Sequence, residues 1–189
     1  MSGAGSDVVH GRRAVFLDRD GVLSVSLIRD GKGYAPRCLA DFALYPEAAQ
    51  AVEALKGAGF VVVVVTNQPD IGNGLTTADE VALMHRQLQD ALPVDLVLTC
   101  PHKQGEGCAC RKPKPGLLAE AVARLGLDPL SSFMVGDRSS DLAAGRAMGC
   151  RTIFIDRGYR EPLTEVPHYR ADSVWEAAQW ILAQPADRC

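Results

Sequence analysis

"FVVVVVTNQPD", residues 60–70, decides the fold. Five consecutive valines follow Phe60 without any polar alternation. An extended chain turns successive side chains to opposite faces, so this strand is apolar on both. Strands of that kind lie inside parallel sheets with helices on either side. Phe60 to Val65 is the longest apolar run in the chain, and it is far too short to span a membrane. It ends on polar residues, so Thr66 and Asn67 stand at the C-terminal end of a central strand.

On both sides of this strand, strand patterns alternate with helix patterns. "RRAVFL" (12–17), "DLVLT" (95–99), "SFMVG" (132–136) and "RTIFI" (151–155) read as strands. Helical patterns cover Glu47–Lys56, a segment from Thr77, Leu117–Leu125, Leu142–Met148 and a segment from Ser173. Thr77 with Glu80, and Ser173 with Glu176, carry the spacing of capping boxes. The fold expected is an open, mostly parallel α/β sheet of Rossmann-like type with helices on both faces. The segment from Gly21 to Phe42 lacks clear periodicity, and long loops at strand ends of such sheets often carry function.

The chain has 189 residues, enough for one domain and too short for two ordinary ones. The expected division is a flexible N-terminus at 1–11 and one domain over 12–189. With 20 basic and 23 acidic residues the net charge is −3, which gives no basis for nucleic-acid binding. The N-terminus has no apolar signal-peptide core, so a cytoplasmic protein with no membrane association is expected.

Chemistry gathers at the strand ends. "FLDRDG", 16–21, sets Asp18 and Asp20 two apart after a strand, which sends both side chains to one side of an extended backbone. "VGDRSSD", 135–141, sets Asp137 and Asp141 after another strand. Aspartate and glycine are also ordinary turn residues, and Thr66-Asn67 taken alone is a capped turn. In a parallel sheet, however, these ends share the edge where ligands sit. Carboxylates converging there repel one another unless a hard cation joins them, and oxygen ligands suit magnesium. Thr66 and Asn67 can donate to a phosphoryl oxygen. "CRKPKPG", 110–116, adds the donor fork of Arg111 and the compact charge of Lys112, held by prolines on a restrained loop. Carboxylate pair, Thr-Asn, Lys and second carboxylate pair form a phosphoryl-transfer set. Neither GxxxxGK[ST] nor GxGxxG occurs, so use of ATP or a dinucleotide has no support.

In order, "DRDG", "TNQ", "RKPKPG" and "GDRSSD" resemble the four motifs of the haloacid dehalogenase-like phosphohydrolases, over roughly residues 13–156. "FLDRDGVL", "VTNQ" and "CRKPKPG" are similar to the branch that contains heptose bisphosphate phosphatases and the phosphatase domain of histidinol-phosphate enzymes. The resemblance implies a minimal cap over the site. It implies Asp18 as nucleophile forming an aspartyl-phosphate, and Asp20 as the residue that protonates the leaving alkoxide and then activates water. By the same resemblance Thr66 and Asn67 hold the transferring phosphoryl group, and Lys112 neutralises it. Magnesium takes Asp18, the backbone carbonyl of Asp20, and Asp137, with Asp141 supporting from behind.

"CPHKQGEGCAC", 100–110, holds Cys100, His102, Cys108 and Cys110, the content of a closed tetrahedral zinc site. Gly105 and Gly107 let the loop double back. Buried free thiols and a redox Cys-x-Cys are the alternatives, and the family branch commonly carries a structural zinc here. Cys38 falls in the possible substrate loop, whereas Cys150 and Cys189 fit no ligand spacing. His10, His85 and His168 lack partners in the pattern and read as surface or packing residues.

The substrate expected is a small phosphorylated sugar, with heptose bisphosphate losing its C7 phosphate placed first. Histidinol phosphate, or another small sugar phosphate, is the alternative. Retaining a second phosphate calls for a remote clamp, with Arg37 and Arg111 as candidates and Tyr34 beside them. Arg37 is otherwise a surface arginine. A non-catalytic phosphate-binding protein on the same fold is the reading from a different class, and a monomer is expected.

Overall fold

The computed structural model describes residues 11–185. Of the flexible lead-in expected at 1–11, residues 1–10, with His10, lie outside the described residues, as does Cys189.

In chain order the elements are β1 (Ala14–Leu17), β2 (Leu27–Arg29), β3 (Lys32–Tyr34), α1 (Ala48–Gly57), β4 (Val61–Asn67) and α2 (Pro69–Gly72). They continue with α3 (Ala78–Ala91), β5 (Leu96–Cys100), α4 (Gly116–Leu125), β6 (Phe133–Gly136) and α5 (Ser139–Ala147). β7 (Arg151–Ile155), β8 (Tyr169–Ala171) and α6 (Val174–Leu182) complete the described chain. Six strands form one sheet in the order β5-β4-β1-β6-β7-β8, and every pairing in it is parallel.

The valine run explains the layering. All five valines of 61–65 are at most 5% exposed. Val62 and Val64 join Val15, Leu17 and Val135 against α1, α3 and α6, where Ala51, Leu55, Met84 and Ala178 meet them. Val61, Val63 and Val65 join Phe16 and Met134 against α4 and α5, through Leu117, Leu118 and Ala144. Burying each such side chain contributes roughly 1.5–3 kcal/mol, so the strand is held hard from both faces.

Register then fixes the site. Leu17 pairs with Val64 on one side and Val135 on the other. The residues just beyond, Asp18, Thr66 and Asp137, therefore emerge at one edge. The chain runs from β1 out to β4 and β5 and returns to β6 on the other flank of β1, so this edge is a topological switch point.

Three differences from the sequence reading have physical causes. Helix α5 begins at Ser139 rather than Leu142, because the Asp141 carboxylate accepts the Arg138 N–H at 3.0 Å and caps a polar first turn. The capping boxes are half formed. Thr77 and Ser173 accept from the N–H groups of Glu80 and Glu176, but the glutamates reach elsewhere, to Leu39 N and Asp172 N. The stretch read as loop at 21–42 contains the antiparallel hairpin β2-β3, turned by Asp30 (φ 51°) and Gly31 (φ 74°). Two left-handed residues between antiparallel strands form the primed turn that suits strand twist. The hairpin docks on the chain between β7 and β8, where Arg160 N donates to Gly31 O at 2.8 Å. Among the described residues no helix is long and apolar enough to cross a membrane.

Candidate active site

At the centre of the edge is Lys112, 2% exposed. Its ammonium lies 2.8 Å from Asp18 Oδ1 and 2.7 Å from Asp141 Oδ1, and donates to Val65 O at 2.7 Å. All three ammonium protons are thereby used. The two carboxylates raise the lysine pKa despite burial, so it stays charged. Asn67 fixes the backbone that carries it: Asn67 Nδ2 donates to Lys112 O, and Lys112 N donates to Asn67 Oδ1, both at 3.1 Å. Asn67, expected to face a phosphoryl group, thus spends one amide proton and its carbonyl on the lysine loop.

Asp18, Asp137 and Asp141 bring carboxylate oxygens within 4.8 Å of one another, all buried. Burial pushes the Asp18 carboxyl up to about 6, with Lys112 opposing and Asp141 reinforcing the shift. Asp137 is raised well above the usual carboxylate range, first by burial and then by Asp18 and Asp141. Both oxygens of Asp137 are buried and neither makes a hydrogen bond of good geometry, although the Tyr159 hydroxyl lies beside the carboxylate. Asp141 differs, since Lys112 takes one oxygen and Arg138 N the other. Two such oxygens among crowded carboxylates are what a hard cation would satisfy, so the donor set fits magnesium. Gly21 makes the approach feasible. Its φ is +85°, and a Cβ there would lie 1.9 Å from Asp137 Oδ2.

Asp20 stands in a different environment. Oδ1 accepts from Arg19 Nε (3.1 Å) and Ser24 Oγ (3.0 Å). Oδ2 accepts from Arg19 Nη2 (3.0 Å) and Gln68 Nε2 (2.7 Å). Gln68 Nε2 also donates to Thr66 Oγ1 at 2.8 Å, so the threonine and the second aspartate share one amide.

The Cys/His loop closes as its spacing predicts. Cys100 Sγ lies 3.7 Å from Cys108 Sγ and 3.5 Å from His102 Nδ1, and His102 Nδ1 lies 3.2 Å from Cys110 Sγ. A tetrahedron of sulfur bonds near 2.3 Å has edges of about 3.8 Å, so the four side chains match a zinc-sized cage. Burial, with Cys110 and Cys108 beside it, pushes the Cys100 thiol up to about 12, a shift that a bound cation reverses. Arg111 follows this loop, half-buried, and reaches His102 O at 3.4 Å.

The two remote candidates are less committed to the site. Arg37 is paired with Asp70 (Nε to Oδ2, 2.7 Å), and its carbonyl accepts from Thr76 Oγ1 at 2.6 Å. Tyr34 is on the hairpin, 40% exposed, with the Arg29 guanidinium 6.0 Å from its ring centre. Cys38 donates to Asp41 at the start of a 3-10 turn, and Cys150 is core. His168 Nδ1 accepts from Thr152 N, a structural contact.

Sequence reasoning missed four residues. Arg19, fully buried, lies inside the DRDG motif, where the flanking aspartates carry the signal. His85, read as surface or packing, sits 3.1 Å from Arg19 Nη1. Arg138 joins Gly33 O on the hairpin to Glu161. Tyr159 wedges between Gly33 and Gly21, with burial and the Asp137 charge raising its phenol pKa. The glycine at 21, directly after the acidic motif, was the sequence signal for such crowding.

Comparison with known proteins agrees with this geometry. A family model described as HAD-hydrolase-like matches residues 109–177. The D-glycero-beta-D-manno-heptose-1,7-bisphosphate 7-phosphatase of Pasteurella multocida is 35% identical over 178 residues, covering 88% of this chain and 92% of its own. The D-glycero-alpha-D-manno-heptose-1,7-bisphosphate 7-phosphatase of Mycobacterium tuberculosis is 37% identical, covering 87% and 88%. Among solved structures, the D,D-heptose 1,7-bisphosphate phosphatase of B. bronchiseptica, complexed with magnesium and phosphate, superposes with a TM-score of 0.78 at 28% identity, over 90% of this chain and 98% of its own.

Proposed function

This chain belongs to the haloacid dehalogenase-like hydrolases, in the heptose-1,7-bisphosphate 7-phosphatase branch, and we propose that it removes the C7 phosphate of D-glycero-D-manno-heptose 1,7-bisphosphate. One observation carries the reading: a buried lysine bridges Asp18 and Asp141 while neither oxygen of Asp137 makes a hydrogen bond of good geometry.

Asp18 is the nucleophile. Its Oδ1 is held by Lys112 and by Arg19 N, which leaves Oδ2 to attack phosphorus. The bond from phosphorus to the C7 oxygen breaks, and Asp20 gives the departing alkoxide its proton. An aspartyl-phosphate then stands on Asp18. Asp20 takes a proton from water, the water oxygen attacks phosphorus, and free Asp18 and inorganic phosphate result. Thr66, Asn67 and Lys112 orient and neutralise the transferring group, charge placed before the reaction begins. Asp18, Asp137 and the backbone carbonyl of Asp20 would hold magnesium, which would supply further positive charge to the phosphoryl oxygens, and Asp141 positions Lys112 behind them.

Cys100, His102, Cys108 and Cys110 would hold a structural zinc ion, which would pin the 100–110 loop. A pinned loop loses less freedom when Arg111 meets substrate. Arg111, Tyr34 and Arg37 recognise the part of the sugar that is not hydrolysed. The enzyme acts as a monomeric single domain over 12–189 in the cytoplasm, on a small phosphorylated sugar and without nucleic acid.

The test is phosphate release from heptose 1,7-bisphosphate with and without magnesium, with phosphorus NMR identifying the phosphate lost. Wild type should give the 1-phosphate, and Asp18→Asn should give none. Loss of the 1-phosphate, or faster turnover of histidinol phosphate, would overturn the assignment.

A further inference from the structure

We infer that His85 and Arg19 act together as the positioning device for Asp20, the residue that protonates the leaving group. This rests on the proposed role of Asp20. Arg19 is fully buried, although it directly follows the nucleophile in sequence. Its Nε and Nη2 reach the two oxygens of Asp20 at 3.1 and 3.0 Å, a fork that fixes the plane of the carboxylate. The remaining Nη1 lies 3.1 Å from His85 Nε2. A guanidinium only donates, so Nε2 must accept and the ring proton must sit on Nδ1. Burial and the Arg19 charge lower the His85 pKa to about 4, which agrees with a neutral acceptor. Phe42 covers the guanidinium, 5.4 Å from ring centre to Arg19 Cζ.

The arginine is thus held at all three of its outward points, and α3 supplies the last through His85. Without that acceptor a buried guanidinium would keep one donor unsatisfied, and it would turn to recover a partner. The fork would turn with it, taking Asp20 off the line of the leaving oxygen. His85 touches no reacting atom, so its effect must pass through Arg19.

Leaving-group dependence separates positioning from general damage. Protonation matters most when the departing oxygen is a poor leaving group. Phenyl phosphate needs the proton more than p-nitrophenyl phosphate does. The quantity to compare is kcat/KM, which runs from free enzyme to departure of the leaving group. General acid catalysis supplies roughly a hundredfold to ten-thousandfold, and loss of orientation alone should remove part of it. His85→Leu should lower kcat/KM about tenfold on phenyl phosphate and less than about threefold on p-nitrophenyl phosphate. His85→Gln, which keeps an acceptor, should restore both. Arg19→Lys, which keeps a charge but loses the fork, should repeat the selective loss should His85→Leu fold poorly. Equal losses on both esters, or none, would overturn the inference. Asp20→Asn on the same two esters serves as the control. If Asp20→Asn is itself unselective, the role of Asp20 fails. If Asp20→Asn is selective and His85→Leu and Arg19→Lys are not, only the positioning device fails.

Discussion

Replacing Lys112 by Met tests the electrostatics of the site directly. The lysine is 2% exposed and Asp18 8%, so solvent screens their contact little. Methionine keeps the stem and removes a charge that faces two carboxylates and a carbonyl. Removing one partner of a buried pair costs about 3–5 kcal/mol, because the other charge is left buried alone. For a protein of this size that is a fall in Tm of about 6–20 °C. The pH dependence follows from Asp18, already pushed up to about 6 mainly by burial. A folded-state pKa above the unfolded value means that the folded state gains stability as pH falls through that pKa. Without Lys112 to oppose it, the Asp18 pKa should rise further, and protonation should relieve more of the repulsion. The deficit of Lys112→Met should therefore be full near about pH 7.5 and shrink toward about pH 5. Urea unfolding of both proteins at the two pH values, in magnesium-free buffer, measures it. A loss below about 1 kcal/mol, or one that grows on acidification, would refute a buried lysine balancing the carboxylates.

Gly21→Ala should fold but bind magnesium weakly, since its Cβ would displace Asp137 Oδ2; an unchanged magnesium titration of activity would contradict the crowding at that edge. Metal analysis after purification without added metal should find one zinc per chain, and Cys108→Ser should lose both zinc and most activity; active wild-type protein free of zinc would reject the cage. Arg37→Ala should raise KM for the bisphosphate about tenfold and leave p-nitrophenyl phosphate nearly untouched, whereas Asp70→Asn, which frees the arginine, should lower that KM. Equal losses on both substrates in Arg37→Ala would make the Arg37–Asp70 pair a structural strut.

The sheet was legible because its signal is local. A valine run without alternation needs cover on both faces, and strand ends bearing Asp, Thr and Asp need only register to bring them together. What escaped was either short or decided from a distance. β8 is three residues long and pairs only with β7, so its pattern has no length to be recognised. The hairpin β2-β3 did carry a readable sign, Asp30-Gly31 between extended residues, but its strands are three residues each and rest on the chain after β7. Nothing near residue 31 announces Arg160.

The two aspartates of "DRDG" mark where legibility within the site stops. Two side chains two apart on an extended chain go to one side, which brings both to the edge. Their chemistry depends on what each meets there. Asp18 meets a lysine from residue 112 and the crowding of Asp137 and Asp141. Asp20 meets donors from Arg19 and Ser24, drawn in as the chain turns back through Gly21, and a third from Gln68 beyond β4. One carboxylate is thus set in a cluster that calls for a cation, and its neighbour is set in a ring of hydrogen-bond donors. Different surroundings are what allow paired carboxylates to take different parts in one reaction. The spacing of the motif supplies the pair. The division of labour between its members comes from Lys112, Gln68 and His85, which lie 94, 48 and 65 residues beyond Asp18, Asp20 and Asp20 in the chain. That long-range supply is also why Arg19 reads as an incidental basic residue in the sequence and as a buried link between Asp20 and His85 in the structure: these two partners are brought together only when α3 packs over the strand end.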